Sequence, residues 1–146
     1  KVNLKNKKVV ILGAGGVAKS IAFHIAPIIK KLVIIDKKKN TADNLKKELR
    51  GAQILINATP IGMATKTNQS PIDISLLRPD LIVFDVIYVP KETRLLREAR
   101  KIGAKTINGA DMLVYQGAEA FKLWTGKNAP VELMKKIAIK ELKNAY

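Results

Sequence analysis

An apolar run, Val9-Val10-Ile11-Leu12, breaks at Gly13-Ala14-Gly15-Gly16 and resumes with Val17-Ala18 at helical spacing. Few folds turn a buried strand into a helix within so few residues, and a parallel βαβ unit is the main one. Gly13 permits the tight turn, Gly15 removes the Cβ that would block an approaching group, and small Ala18 lets the helix pack close to the strand. A helix starting there aims free backbone N–H groups and its positive dipole end at the loop, which suits an anion such as a pyrophosphate. The spacing G-x-G-x-x-[GA] is weak alone, so its setting carries the argument. A second apolar run, Leu32-Val33-Ile34-Ile35, ends on Asp36, about 20 residues on, where a dinucleotide-binding unit places an acid.

Short apolar runs and amphipathic stretches alternate along the rest of the chain. Strands are predicted at about 8–12, 32–36, 53–57, 81–85 and 104–107. Helices are predicted at about 16–29, 40–49, 91–102, 110–125 and 130–144, with Pro27 bending or ending the first. The pattern is that of an α/β protein with a Rossmann-like, doubly wound, mostly parallel sheet. At 146 residues and 47% hydrophobic content, residues 1–146 are expected to form one domain. The stretch 60–80, with Pro60, Gly62, Pro71 and Pro79, is expected to loop over the ligand edge, with a short helical turn at Ser75-Leu76-Leu77. One spacing is irregular: Thr41 to Arg50 runs straight into Gly51-Ala52-Gln53-Ile54. About a dozen residues or more are absent relative to an ordinary βαβ spacing, so the third strand of the doubly wound order is expected to be missing.

Composition excludes several classes. Without cysteine there is no disulfide framework or thiolate metal site, and the lone His24 has no partners at metal spacing. A reducing, cytoplasmic setting is expected, and no apolar run approaches the length of a membrane span. The N-terminal Lys1–Lys8 has no signal-peptide character. The net charge of +15 invites a nucleic-acid reading. Its distribution argues for a solvated surface, because Lys46, Lys47, Lys101, Lys122, Lys135, Lys136, Lys140 and Lys143 are scattered and not interleaved with aromatics.

Three further blocks each follow a predicted strand, at the carboxyl ends where open α/β sheets bind ligands. They are Asn57-Ala58-Thr59-Pro60-Ile61-Gly62-Met63, then Asp85-Val86-Ile87-Tyr88-Val89-Pro90 with Thr93, Leu95 and Leu96, then Asn108-Gly109-Ala110-Asp111-Met112-Leu113-Val114-Tyr115-Gln116-Gly117-Ala118 with Phe121, Trp124, Thr125 and Gly126. In this order and with the glycine loop, they resemble the nucleotide-binding domain of the shikimate dehydrogenase family, including its quinate/shikimate relatives. The resemblance covers nearly the whole chain. It implies NADP- or NAD-dependent, reversible reduction of 3-dehydroshikimate to shikimate.

The same resemblance implies cofactor contacts at Gly13, Ala14, Gly15, Gly16 and Val17 for the pyrophosphate, and at Asp36, Lys37, Lys38 and Thr41 around the adenosine ribose. Ala58, Thr59 and Pro60 would lie along the cofactor, and Val86, Gly109 and Met112 near the nicotinamide. Tyr88 and Gln116 match substrate-facing positions, and the Gln116 amide can both donate to and accept from a hydroxyl. Two departures bear on the transfer. Family members that use NADP carry Asn-Arg-Thr after the second strand, whereas this chain has Asp36-Lys37-Lys38-Lys39-Asn40-Thr41. The acid favours the free 2′-hydroxyl of NAD and Lys37 offers a point charge to the 2′-phosphate of NADP, so both cofactors stay open.

In the family a substrate lobe precedes this domain and supplies the catalytic lysine and aspartate; neither is in this chain. Cofactor binding with little or no turnover is therefore expected. A non-catalytic cofactor-binding or regulatory module is the alternative, and a basic nucleic-acid-binding domain a more remote one. Trp124, Phe121 and Leu113 are expected on one helical face as core or interdomain surface. Val131, Leu133, Met134, Ile137, Ile139 and Leu142 give the last helix an apolar surface, with self-association through the C-terminal helices as an expected outcome.

Overall fold

The structure, a computed structural model, describes residues 2–144. In chain order it contains β1 (Lys8–Leu12), α1 (Gly16–Ile25), β2 (Lys31–Ile35), α2 (Ala42–Leu49), β3 (Ile54–Asn57), β4 (Ile82–Asp85), α3 (Arg94–Lys101), β5 (Lys105–Ile107), α4 (Ala110–Thr125) and α5 (Val131–Asn144). A single 3₁₀ turn, Ile74–Leu76, interrupts the long connection after β3. The strands are all parallel and lie in the order β2-β1-β3-β4-β5.

Side-chain alternation along β1 decides the layering, since neighbours in a strand point to opposite faces. Val9 and Ile11 pack with Ala18 and Ala22 of α1 and with Ile54 and Ile56 of β3. Val10 and Leu12 face the other way, onto Leu45 and Leu49 of α2 and Leu95, Leu96 and Ala99 of α3. A parallel sheet covered on both faces needs apolar residues on both, which is why these strands read as continuous apolar runs. Moving from β1 to β2 and then from β2 back past β1 to β3 reverses direction. With right-handed crossovers, that reversal puts α1 and α2 on opposite faces. The α/β, doubly wound expectation therefore holds.

The third strand is missing as expected, and β2 forms the edge of the sheet. The shortened connection is well closed. Gly51 adopts a left-handed φ of +70°, and the Ala52 N–H returns to the Leu49 carbonyl at 3.0 Å. The Arg78 guanidinium reaches across to donate to the carbonyls of Leu49 (2.9 Å) and Ala52 (2.7 Å), satisfying groups that a helix end would otherwise leave free.

Helix boundaries differ from the periodicity in ways that local chemistry explains. The first helix stops at Ile25, not near residue 29, because Pro27 has no N–H to continue the ladder. The α3 helix starts at Arg94, not near 91, since the Thr93 hydroxyl accepts the Leu96 N–H at 3.3 Å and caps it. Thr41 caps α2 in the same way through Asn44.

The C-terminal helices pack on each other, with Met134 over Gly117, where a Cβ would stand 3.5 Å from the methionine methyl. Much of their apolar surface is open. Leu123 and Trp124 are 84% and 85% exposed, so Trp124 is not core, and Leu133, Ile137 and Ile139 are about half exposed. The side chains of Leu142 and Lys143 lie outside the described residues, as does Lys1. Among the described residues no helix is long and apolar enough to cross a membrane, and no cluster of His, Asp and Glu could hold a metal ion.

Candidate functional site

Four strand-to-helix or strand-to-loop transitions meet at the carboxyl edge of the sheet, and their glycines do different jobs. Gly13 has a φ of +101° and donates its N–H to the Ile35 carbonyl at 2.8 Å. A Cβ there would stand 2.7 Å from the Ala58 carbonyl oxygen. Its lack of a side chain therefore serves the turn and the approach of the β3 loop. Gly15 is the opposite case. It has an ordinary extended backbone (φ −74°, ψ −176°), and a Cβ there would meet no atom within 4 Å. Gly16 likewise faces open space, and Ala14 to Val17 are exposed.

No side chain caps the N-terminus of α1 and no acid sits in its first turn. The helix thus presents uncapped N–H groups and its positive end to the open space beside Gly15. A cradle that a side chain would fill, over an unneutralised helix start, fits a pyrophosphate.

On one side of this loop lies Asp36, directly after β2. Its carboxylate accepts the Lys39 N–H at 2.9 Å, closing a turn in which Lys37, Lys38 and Lys39 are exposed. Thr41, expected near the ribose, spends its hydroxyl on capping α2. On the other side, Val17, Ala58, Thr59, Pro60, Val86 and Met112 line one cleft of about 420 Å³, together with Tyr88. These residues come from α1, the ends of β3 and β4, and α4, so tertiary structure brings the dispersed sequence blocks together. Met63, Ala64, Ile87 and Val89 also line the cleft and were not singled out by sequence; Met63, Ile87 and Val89 sit inside the same blocks as their neighbours, and Ala64 follows directly on Met63.

Two residues fall outside that lining. Gly109 is buried, and the room a side chain would need is occupied by the Val86 carbonyl, so glycine there serves the packing of the α4 start on the β4 loop. Gln116, one turn beyond Met112, is exposed and donates to the Leu113 carbonyl of its own helix at 3.0 Å. Tyr88 also borders a second cavity with Lys91, Asn108, Asp111 and Lys135. There Lys135 donates to the Tyr115 hydroxyl at 2.9 Å, a contact that raises its pKa. His24, exposed on α1, makes a 2.8 Å hydrogen-bond contact with the Ser20 carbonyl and packs edge-on against the Phe23 ring.

Beneath the cleft lies a buried polar group that sequence reasoning left without a role. Asn57, Asp85 and Thr93 are each 0% exposed. Asp85 accepts hydrogen bonds from Asn57 (3.0 Å), the Ile87 N–H (3.1 Å) and the Thr93 hydroxyl (2.8 Å). Burial pushes the Asp85 carboxyl above its ordinary pKa, against the opposing pull of the Thr93, Ile87 and Asn57 donors. A polar residue ending an otherwise apolar strand was the signal available in the sequence.

The fold and this loop together define a Rossmann-like α/β domain built around a strand–glycine loop–helix anion cradle. Comparison with known proteins narrows that class. The family model described as the Shikimate 5'-dehydrogenase C-terminal domain matches residues 109–139. Shikimate dehydrogenase (NADP(+)) of Methanosarcina barkeri is 44% identical over 162 aligned positions, which take in 97% of this chain and 58% of that protein. A solved shikimate dehydrogenase in complex with NADP+ superimposes with a TM-score of 0.83 at 39% identity, over 94% of this chain and 55% of the other. The Listeria monocytogenes enzyme in complex with shikimate and NAD gives 0.80 at 33% identity, over 92% and 56%.

The chain belongs to the shikimate dehydrogenase family. It spans 58% of the length of the Methanosarcina barkeri relative. That alignment is also longer than the 146 residues of this chain, in keeping with a connection shortened relative to the family.

Proposed function

We propose that this chain is the cofactor-binding domain of a shikimate dehydrogenase. It would hold NADP or NAD with the pyrophosphate over Gly13–Val17, the adenosine ribose beside Asp36–Thr41 and the nicotinamide in the cleft of Val86 and Met112. The observation that carries this reading is the contrast within the glycine loop. Gly13 is required by its own protein neighbours, whereas the space beside Gly15 is left open over an uncapped helix start.

The three exposed lysines beside Asp36, whose carboxylate is already engaged by the Lys39 N–H, support NADP. They offer point charges to a 2′-phosphate, as the NADP(+) names of the curated relatives would suggest. The Listeria monocytogenes complex with NAD keeps NAD in the reading.

The bound nicotinamide would supply or accept a hydride, serving reversible reduction of 3-dehydroshikimate to shikimate. This chain's residues would orient it: Thr59 and Pro60 from one lip, Val86 and Tyr88 from the other. Tyr88 and Gln116 would face the substrate. The proton donor is assigned to a lobe outside residues 1–146, so this chain alone would bind cofactor with little or no turnover. The open apolar surface of α4 and α5 supports self-association of the chain, and sedimentation as a clean monomer over a wide concentration range would count against it.

Mapping amide resonances during addition of NADP+ tests the placement. Shifts are expected at Gly13–Val17, Ala58–Thr59 and Val86–Tyr88. Shifts confined to α4 and α5 would overturn it.

A further inference from the structure

The buried Asn57–Asp85–Thr93 group joins three pieces of backbone, the ends of β3 and β4 and the start of α3. Asn57 and Asp85 are the last residues of β3 and β4 and lie opposite each other in the strand register. From Asn57 the connection runs outward to one lip of the cleft, because its side-chain oxygen accepts both the Thr59 N–H (3.0 Å) and the Thr59 hydroxyl (2.7 Å). The Thr59 hydroxyl in turn accepts the Ile61 N–H at 3.2 Å. From Asp85 it runs to the other lip through the Ile87 N–H. Thr93 ties the same carboxylate to the start of α3, donating its hydroxyl proton to Asp85 while accepting the Leu96 N–H.

None of Asn57, Asp85 and Thr93 lines the cleft, whereas Thr59 and Ile87 do. A buried carboxylate is costly, and an apolar residue would fill that space at less cost. What the carboxylate adds is geometry: two oxygens with three donors fix β3, β4 and α3 relative to one another, and no buried polar side-chain atom among the described residues is left unpaired.

We propose that Asp85 is a positioning residue which, with Asn57 and Thr93, sets the separation of the Thr59 and Val86–Tyr88 lips and so the grip of the domain on the nicotinamide half of its cofactor. The inference rests on the cofactor reading above. It concerns one half of the ligand only, and that makes it separable from a general structural role. On that reading the adenosine half would lie beyond the glycine loop, beside Asp36 and Lys37–Lys39, none of which bonds to the group.

The test compares Asp85→Asn, Thr93→Val and Thr93→Ser with the unaltered chain, titrating each calorimetrically with NADP+ and with 2′,5′-ADP, which carries only the adenosine half. Asp85→Asn and Thr93→Val should weaken NADP+ about tenfold and leave 2′,5′-ADP within about twofold. Thr93→Ser, which keeps the donor, should restore NADP+ affinity to within about twofold. Equal weakening of both ligands, or unchanged NADP+ affinity in Asp85→Asn and Thr93→Val, would overturn the inference while leaving the cofactor reading intact. Failure of the unaltered chain to bind either ligand would overturn both. Should Asp85→Asn not fold, the Thr93 pair decides alone, since serine and valine there differ in the hydroxyl that reaches Asp85.

Discussion

Replacing Gly109 by alanine is expected to destabilise the domain by about 3 kcal/mol or more, a large share of the roughly 5–15 kcal/mol that holds a typical domain folded. The residue is buried, and the added methyl would overlap the Val86 carbonyl. Relief by a side-chain rotation is impossible, because the obstacle is backbone. Nor can that backbone move freely: the Val86 N–H is bonded to the Asn57 carbonyl at 3.0 Å, and the Gly109 N–H to the Ile87 carbonyl at 3.1 Å. Accommodating the methyl means pushing the start of α4 off the β4 loop and breaking one or both contacts. Gly16→Ala provides the control, with open space around the new methyl. Urea denaturation reads both. A Gly109→Ala midpoint equal to that of the unaltered chain would show that the α4 start is not held as described.

Gly15→Val should give the reverse pattern, a chain that folds normally and binds cofactor poorly. The backbone at Gly15 is one that valine adopts, and no neighbour stands within 4 Å of the new Cβ. Stability should therefore change by about 1 kcal/mol or less, mainly from a poorer residue at the helix start. The new side chain would fill the space over the uncapped N–H groups of α1 and separate an anion from them. Loss of NADP+ affinity of about 100-fold, or ~2.7 kcal/mol, is expected. Retained affinity would mean that the pyrophosphate does not sit in this loop.

This difference among glycines shows where the sequence stops informing. The order of strands and helices was legible because apolar periodicity is local, and Asp36 and the glycine loop stood at recognisable spacing. The missing third strand was legible too, as a short distance between Arg50 and Ile54. The separate tasks of Gly13 and Gly15 were legible as well, but the close approach of Ala58 at Gly13 and the packing role of Gly109 were not, since they depend on Ala58 and Val86, which lie far along the chain. Helix limits were missed where one hydroxyl decides them, as at Thr93. The site's lining was partly legible: Val17, Thr59, Val86 and Met112 converge as the ordered blocks suggested. By contrast, the bond between Asn57 and Asp85 exists only because β3 and β4 pair in that register.

Calorimetric titration of the unaltered chain with NADP+ and with NAD+ bears most directly on the central claim that this domain binds a nicotinamide dinucleotide. Saturable binding at one site per chain is the expected result, with NADP+ the tighter ligand and its advantage shrinking as salt screens Lys37–Lys39. No heat with either cofactor, at concentrations where the chain is folded, would contradict it.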